Sequence, residues 1–329
     1  MILIVGAGAV GTTLAGYLMA AQQPVRLLLR DRDAAKGQSM SQLTVDKGAG
    51  SAPLIVPKPE LTTKLDLSGV DYVLICVKYA ALDEVLSQLP STLPDGVILV
   101  STLNGISALP RIKKRYPADR VANMTIMFNA QLRSPLHTQI TTMPQVIIDR
   151  EYPQLPRLFD HSNMQVKRAD GQATAWGKLL INLANAVCAI THSTAKDLLT
   201  KRDLRAIYTA ALDEAVGLMV HAGIPFQFPL PLPYRLYRQL LLHGGSLSWW
   251  LAKARNGLQE GSYPSMVADI EIGRKTEVDQ INGEIVALGR AQNLPTPVND
   301  EIVNLVHGLE GNLSPSYLKP SELRACLRI

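Results

Sequence analysis

The opening of the chain limits its fold more than any other stretch. Residues 1–5 form an apolar β-type run, Gly6-Ala7-Gly8-Ala9-Val10-Gly11 follows without a spacer, residues 12–21 read as a helix and residues 25–29 as a second apolar run. A G-x-G-x-x-G turn between a strand and a helix is the fingerprint of a dinucleotide-binding unit. Gly6 permits the tight turn, Gly8 lets the backbone approach a pyrophosphate, and Gly11 allows close packing of helix on strand. The helix N-terminus then offers N–H groups and a partial positive charge to the phosphates. Gly6, Ala7, Gly8, Ala9, Val10 and Gly11 are therefore read together as a cofactor-binding turn.

The end of the second apolar run selects the nucleotide. An acid there suits the ribose 2′-hydroxyl of NAD, whereas a basic residue accommodates the 2′-phosphate of NADP. The run ends Leu29-Arg30-Asp31-Arg32-Asp33. Arg30 comes first, and guanidinium groups match phosphate geometry. NADPH is the favoured cofactor, with Asp31 keeping NAD open.

At 329 residues with 47% hydrophobic composition, the chain can build a core in each of two domains. Its net charge of +5 comes without a Lys/Arg-rich block or interleaved aromatics, so a nucleic-acid partner has no support. A modest basic excess suits an anionic cofactor and a carboxylate substrate. Cys76, Cys188 and Cys326 are far apart, with no CxxC or His-Cys cluster, so neither a disulfide framework nor a metal site is expected. No signal peptide is read before the first strand, and no uninterrupted apolar stretch is read as long enough to span a bilayer. The cytoplasm is the expected compartment. A homodimer is left open.

Residues 71–77 and 96–101 are further buried-strand runs, the first followed by a helix over 81–89, and 121–128 with 145–148 supply later strands. Strands alternating with helices imply a doubly wound parallel sheet. Beyond about residue 167 the pattern changes to helices at 174–192, 201–222, 234–242 and 265–291, with Pro225, Pro229, Pro231 and Pro233 making a loop in the middle. The expected fold is α/β: an N-terminal Rossmann domain over 1–167 and a C-terminal all-α domain over 168–329. The tail around 314–320 is expected to be loosely held.

Ligands of an open α/β sheet bind beyond the carboxyl ends of its strands. Lys78 leaves one such strand and Asn104 another. Lys78 could meet cofactor phosphate or ribose, Asn104 the nicotinamide side or the substrate, and each could equally be a surface loop residue. On the helix after Trp176, Lys178, Asn182 and Asn185 fall within roughly 60° of one another at about 100° per residue. The rest of that helix is mostly apolar, so the stripe should face either solvent or a cleft. Glu277 pairs with Lys178 or is a surface charge beside Arg274. Ser265 and Glu277 are twelve residues apart, about 18 Å along a straight helix, too far for one small substrate. A helix break near Gly273, or a division of labour between the two residues, is expected.

Together the glycine turn, Val77-Lys78, Asn104-Gly105, Trp176-Gly177-Lys178-Leu179-Leu180-Ile181-Asn182, Ser265-Met266 with Asp269, and Thr276-Glu277-Val278-Asp279 with Asn282-Gly283 resemble the ketopantoate reductase family (2-dehydropantoate 2-reductases). The resemblance implies NADPH-dependent reduction of a 2-oxo acid, 2-dehydropantoate, to a 2-hydroxy acid on the route to pantothenate. It implies that Lys178 is the catalytic acid with Glu277 beside the reacting centre, that Lys78 and Asn104 line the cofactor cleft, and that Asn182 and Ser265 hold substrate. Two positions depart from the family pattern. Ala186 stands where a second asparagine is usual, with Asn185 one residue early on the Lys178 stripe, and Lys196 falls near a further expected asparagine. Substrates other than ketopantoate, such as another 2-oxo acid or an imine, and a non-catalytic NADPH sensor are the rival readings.

Overall fold

The computed structural model describes residues 1–47, 51–228 and 232–329. Pro229 and Pro231 of the expected proline loop lie outside the described residues. The chain divides into two compact units, Met1–Gly171 and Gln172–Ile329.

The first unit contains β1 (Ile2–Val5), α1 (Ala9–Ala20), β2 (Val25–Leu28), α2 (Asp31–Gln38), β3 (Gln42–Asp46), β4 (Leu54–Pro57), β5 (Glu60–Thr62), β6 (Tyr72–Ile75), α3 (Leu82–Gln88), β7 (Ile98–Ser101) and α4 (Ala108–Lys113). Next come β8 (Val121–Ile126), β9 (Ala130–Ser134), β10 (His137–Ile140), β11 (Gln145–Asp149) and β12 (Gln165–Ala169). Eight strands form one sheet in the order β12-β11-β8-β7-β6-β1-β2-β5. All neighbours are parallel except β8 and β11, which run antiparallel, so the expected doubly wound parallel sheet carries one reversed step.

Alternation along β1 explains why the sheet is covered on both faces. Ile2 and Ile4 point to one side, into a core shared with Leu14, Tyr17 and Leu18 of α1. Leu3 and Val5 point to the other, into a core with Leu82, Val85 and Leu86 of α3 and Ile112 of α4. A strand buried on both faces reads as a continuous apolar run, which is how this sheet was legible in sequence.

The sequence reading did not foresee a second sheet, of order β4-β3-β10-β9. Its Leu43 and Val45 are fully buried and join the α1 core. Thr13 of α1 donates to Thr138 of β10, Oγ1 to Oγ1, at 3.0 Å.

From Gly171 onward the described residues hold helices and turns and no strand. The helices are α5 (Gly171–Thr191), α6 (Ala195–Thr200), α7 (Arg202–His221), α8 (Tyr234–His243), α9 (Ser246–Asn256), α10 (Ser265–Glu271), α11 (Asn282–Ala291), α12 (Pro297–Leu309) and α13 (Pro320–Cys326). Tyr208 of α7 donates its hydroxyl to the Leu180 carbonyl of α5 at 3.2 Å, joining the two longest helices in the interior. Glu214 of α7 caps α12, accepting from Val298 N at 2.7 Å and Asn299 N at 2.9 Å. A carboxylate at a helix N-terminus satisfies amides that no turn of the helix can reach.

Two expectations are corrected. The tail is tied down: Leu318 N donates to the Ile190 carbonyl at 3.0 Å, Leu323 is fully buried, and Arg324 pairs with Asp203 of α7 at 3.0 Å. Proline at the first turn suits a helix start, so the prolines near 315–320 lead into α13 rather than fray the chain. Second, α5 is long and apolar enough by length and composition to cross a membrane, with a mean hydropathy of 1.3 over its most apolar window. That window is 67% buried within the protein. A helix at the centre of a helical unit needs apolar groups almost all round, which gives it the composition of a membrane span.

Candidate active site

The register of the large sheet lines up the elements of the first unit's candidate site. Leu28, Val5, Ile75 and Ser101, the last residues of β2, β1, β6 and β7, stand opposite one another in sequence across the sheet. Arg30, the glycine turn, Lys78 and Asn104 therefore leave from one edge, the carboxyl edge where ligands of such sheets bind.

The turn itself fits a dinucleotide. Gly6 adopts φ +112°, which L side chains rarely do, and a Cβ on Gly11 would stand 1.9 Å from the Gly6 carbonyl oxygen. Only glycine closes this turn. A Cβ on Gly8 would meet nothing within 4 Å, so the space above the turn is open to a ligand. Gly8 is also the N-cap of α1, which starts without a side-chain cap. Ala7, Ala9 and Val10 are half-buried around it.

Arg30 is exposed at the N-cap of α2, and among the described residues it makes no ion pair, whereas Arg32 sits 3.8 Å from Asp33. Lys78 is exposed where β6 passes into the turn Tyr79–Ala81. Asn104 is half-buried before Gly105, whose φ is +82°. Thr102 Oγ1 donates to the Ile75 carbonyl at 2.9 Å and so ties the Asn104 loop to the start of the Lys78 loop.

In the second unit, the candidate stripe stands out from its own helix. Between Ala173 and Ile190 every residue of α5 is buried except Ala175, Lys178, Ile181, Asn182 and Asn185, which are half-buried along one face. Burial lowers the Lys178 ammonium to about 8, and the nearby Glu277 carboxylate opposes that shift. Desolvation is the larger effect, which the residues alone left open.

Ser265 and Glu277 are not on one straight helix. Ser265 is exposed at the first position of α10, and α10 stops at Glu271. Gly273, at φ +63°, ends it in a Schellman turn: Gly273 N donates to Ile270 O at 2.9 Å and Arg274 N to Asp269 O at 2.8 Å. Glu277 follows in a separate half-buried loop before the short turn Val278–Gln280. The expected break near Gly273 is present.

Ala186, at the departure from the family pattern, is fully buried, while Asn185 lies on the half-buried stripe. Lys196 is ion-paired to Glu260 at 3.0 Å. Reasoning from sequence missed Glu310, whose Oε1 accepts from both the backbone N and the Oγ1 of Thr276, each at 2.7 Å. No local signal links residues so far apart. Among the described residues, no group of three or more His, Cys, Asp or Glu side chains could hold a metal ion.

Residues 2–151 match the family model described as ketopantoate reductase PanE/ApbA, and residues 170–310 match its C-terminal counterpart. The 2-dehydropantoate 2-reductase of Vibrio cholerae is 26% identical over 320 residues, covering 95% of this chain and 99% of that protein. Among solved structures, a PanE/ApbA family ketopantoate reductase from Ralstonia eutropha superposes with a TM-score of 0.74 at 22% identity, covering 94% of this chain and 98% of the other. D-mandelate dehydrogenase in a ternary structure with NADH and anilino(oxo)acetate gives 0.78 at 21% identity, covering 96% and 100%. At these identities the two structures speak for the fold. The two family matches span both compact units, and the chain belongs to the ketopantoate reductase family, an oxidoreductase family.

Proposed function

We propose that this protein uses NADPH to reduce 2-dehydropantoate to pantoate, with the first unit holding the cofactor and the second supplying the acid. The observation that carries the reading is Lys178, a half-buried ammonium brought down to about 8 on a family-matched helix, with Glu277 beside it. NADPH, when bound, supplies the hydride. Its diphosphate suits Gly6, Ala7, Gly8, Ala9, Val10 and Gly11, Arg30 is assigned to the 2′-phosphate, and Lys78 and Asn104 to the ribose and nicotinamide side.

As negative charge grows on the substrate carbonyl oxygen, the Lys178 Nζ stabilises it by hydrogen bonding and then transfers its proton there. A lowered pKa makes that transfer easier near neutral pH, while the Glu277 charge keeps enough of the amine protonated to act. Asn182, Asn185 and Ser265 are assigned to the substrate. The cytoplasm is the proposed compartment, consistent with the free thiols at Cys76, Cys188 and Cys326.

A second reading keeps the chemistry and changes the acid reduced. It is favoured by Ala186, which is buried where the family's second asparagine is usual, leaving Asn185 to meet the substrate. The test is a panel of 2-oxo acids, with 2-dehydropantoate and phenylglyoxylate among them, each assayed with NADPH and NADH. The highest kcat/KM is expected for 2-dehydropantoate with NADPH. A preference for an aryl 2-oxo acid would move the assignment to the second reading, and no turnover on any member would overturn both.

A further inference from the structure

Glu277 sits in a loop whose neighbours are fastened on both sides to one place. On one side Thr276 donates twice to Glu310 Oε1, and Val278 N donates back to Thr276 Oγ1 at 3.2 Å. On the other, Asp279 Oδ1 lies 2.9 Å from His307 Nε2. His307 and Glu310 are three residues apart at the end of α12, the spacing that puts two side chains on one helical face. Glu310 is the C-cap of that helix, where a carboxylate meets the negative end of the helix dipole. Capping does not account for an acid at that position, but two bonds to an ionised acceptor do.

We propose that Glu310 is a positioning residue, which through Thr276 holds the Glu277 carboxylate beside Lys178. It touches neither substrate nor cofactor. The inference rests on the reading of Lys178 and Glu277 as the reacting pair. Both bonds from Thr276 end on one oxygen, so the side chain's task is that of an acceptor at a fixed point. Glutamine keeps such an acceptor and alanine removes it.

The experiment compares Glu310→Ala, Glu310→Gln and Thr276→Val with the unaltered enzyme, alongside Lys178→Ala and Glu277→Gln as controls. Folding is checked by circular dichroism and thermal midpoint. Glu310→Ala and Thr276→Val are expected to lower kcat on the order of tenfold to a hundredfold, as misplaced catalytic groups do. They should leave cofactor affinity unchanged and move the alkaline limb of the kcat profile to lower pH, because Glu277 would no longer hold the Lys178 proton. Glu310→Gln should restore both rate and profile. If the rate falls while the alkaline limb stays in place, or if the glutamine variant behaves like alanine, the positioning role is overturned. Should Glu310→Ala fail to fold, Thr276→Val carries the same readout. If Lys178→Ala and Glu277→Gln keep normal turnover, the reading of the site itself has failed. If those two lose activity while Glu310→Ala and Thr276→Val retain the unaltered rate and profile, only the positioning role has.

Discussion

Glu277, in the loop after α10, acts on Lys178 of α5: burial pulls the ammonium down, the carboxylate opposes that pull, and the balance lies at about 8. Desolvation alone would leave a buried amine neutral at lower pH, and an exposed lysine would stay charged far above neutrality. The balance leaves an ammonium that is charged at neutral pH yet gives its proton up more readily than an exposed lysine would.

The first prediction concerns the donor. In the proposed reaction, Lys178→Ala removes both the charge that meets the developing oxyanion and the proton that follows it. General-acid groups contribute on the order of a hundredfold to ten-thousandfold in rate. Steady-state assays should show a fall in kcat of that size, with NADPH affinity by fluorescence titration within about twofold of the unaltered protein. A variant that still turns over normally would remove Lys178 from the chemistry.

The second follows from the sign of the shift. In the proposed reaction the protonated amine is the active form, so kcat/KM should be sustained below about pH 8 and fall as pH rises through that value. Glu277→Gln removes the charge that raises the pKa, so the fall should begin at lower pH. A profile that remains flat well above pH 8 would contradict this assignment, as would a limb that moves upward in the glutamine variant.

Selection of the cofactor is tested at Arg30, which is exposed at the start of α2. A hydrogen bond to a charged phosphate is worth about 1.5–3 kcal/mol, on the order of tenfold or more in affinity. Arg30→Ala should weaken NADPH by that factor and leave NADH nearly unchanged, as measured by paired titrations. Equal losses for both nucleotides would take Arg30 away from the 2′-phosphate.

A fourth prediction separates geometry from charge. Gly11→Ala puts a methyl group 1.9 Å from the Gly6 carbonyl oxygen, so the turn or α1 must shift. Overpacking of this kind costs about 1–3 kcal/mol. Chemical denaturation should register that loss, and cofactor binding should fall with it. Gly8→Ala meets no protein atom, so it should fold normally and lose cofactor affinity alone.

The tail offers a test of stability distant from the chemistry. Leu323 is fully buried in α13, and truncating a buried leucine to alanine costs about 2–5 kcal/mol. Leu323→Ala should lower the unfolding midpoint accordingly while leaving nucleotide affinity near its original value. An unchanged midpoint would mean that the tail is not part of the cooperative unit.

What the sequence revealed depended on how local the cause was. The glycine turn and β1 are dictated by neighbours within a dozen residues, and the Lys178 stripe by the period of one helix. The stop at Gly273 was legible because a straight helix would have separated Ser265 and Glu277 too far. By contrast, β3 and β10 are short and rich in polar residues such as Gln42, Thr44, His137 and Gln139, and beyond their near neighbours β4 and β9 they pair with each other from far apart in the chain. Nothing in either segment alone specifies a sheet. The clasp between Thr276 and Glu310 escaped notice for the same reason, because a hydrogen bond between distant residues leaves no periodicity behind.

That small sheet also bears on how the polypeptide emerges from the ribosome. Thr44 of β3 pairs with His137 of β10, so until β10 is made β3 has only β4 beside it in the sheet. The glycine-turn half of the first unit is thus synthesised long before the strand that completes the layer under α1, and such distant pairings slow folding. Nascent chains whose exposed part stops short of residue 137 should leave β3 and β4 open to protease, and exposing the chain past residue 140 should protect them.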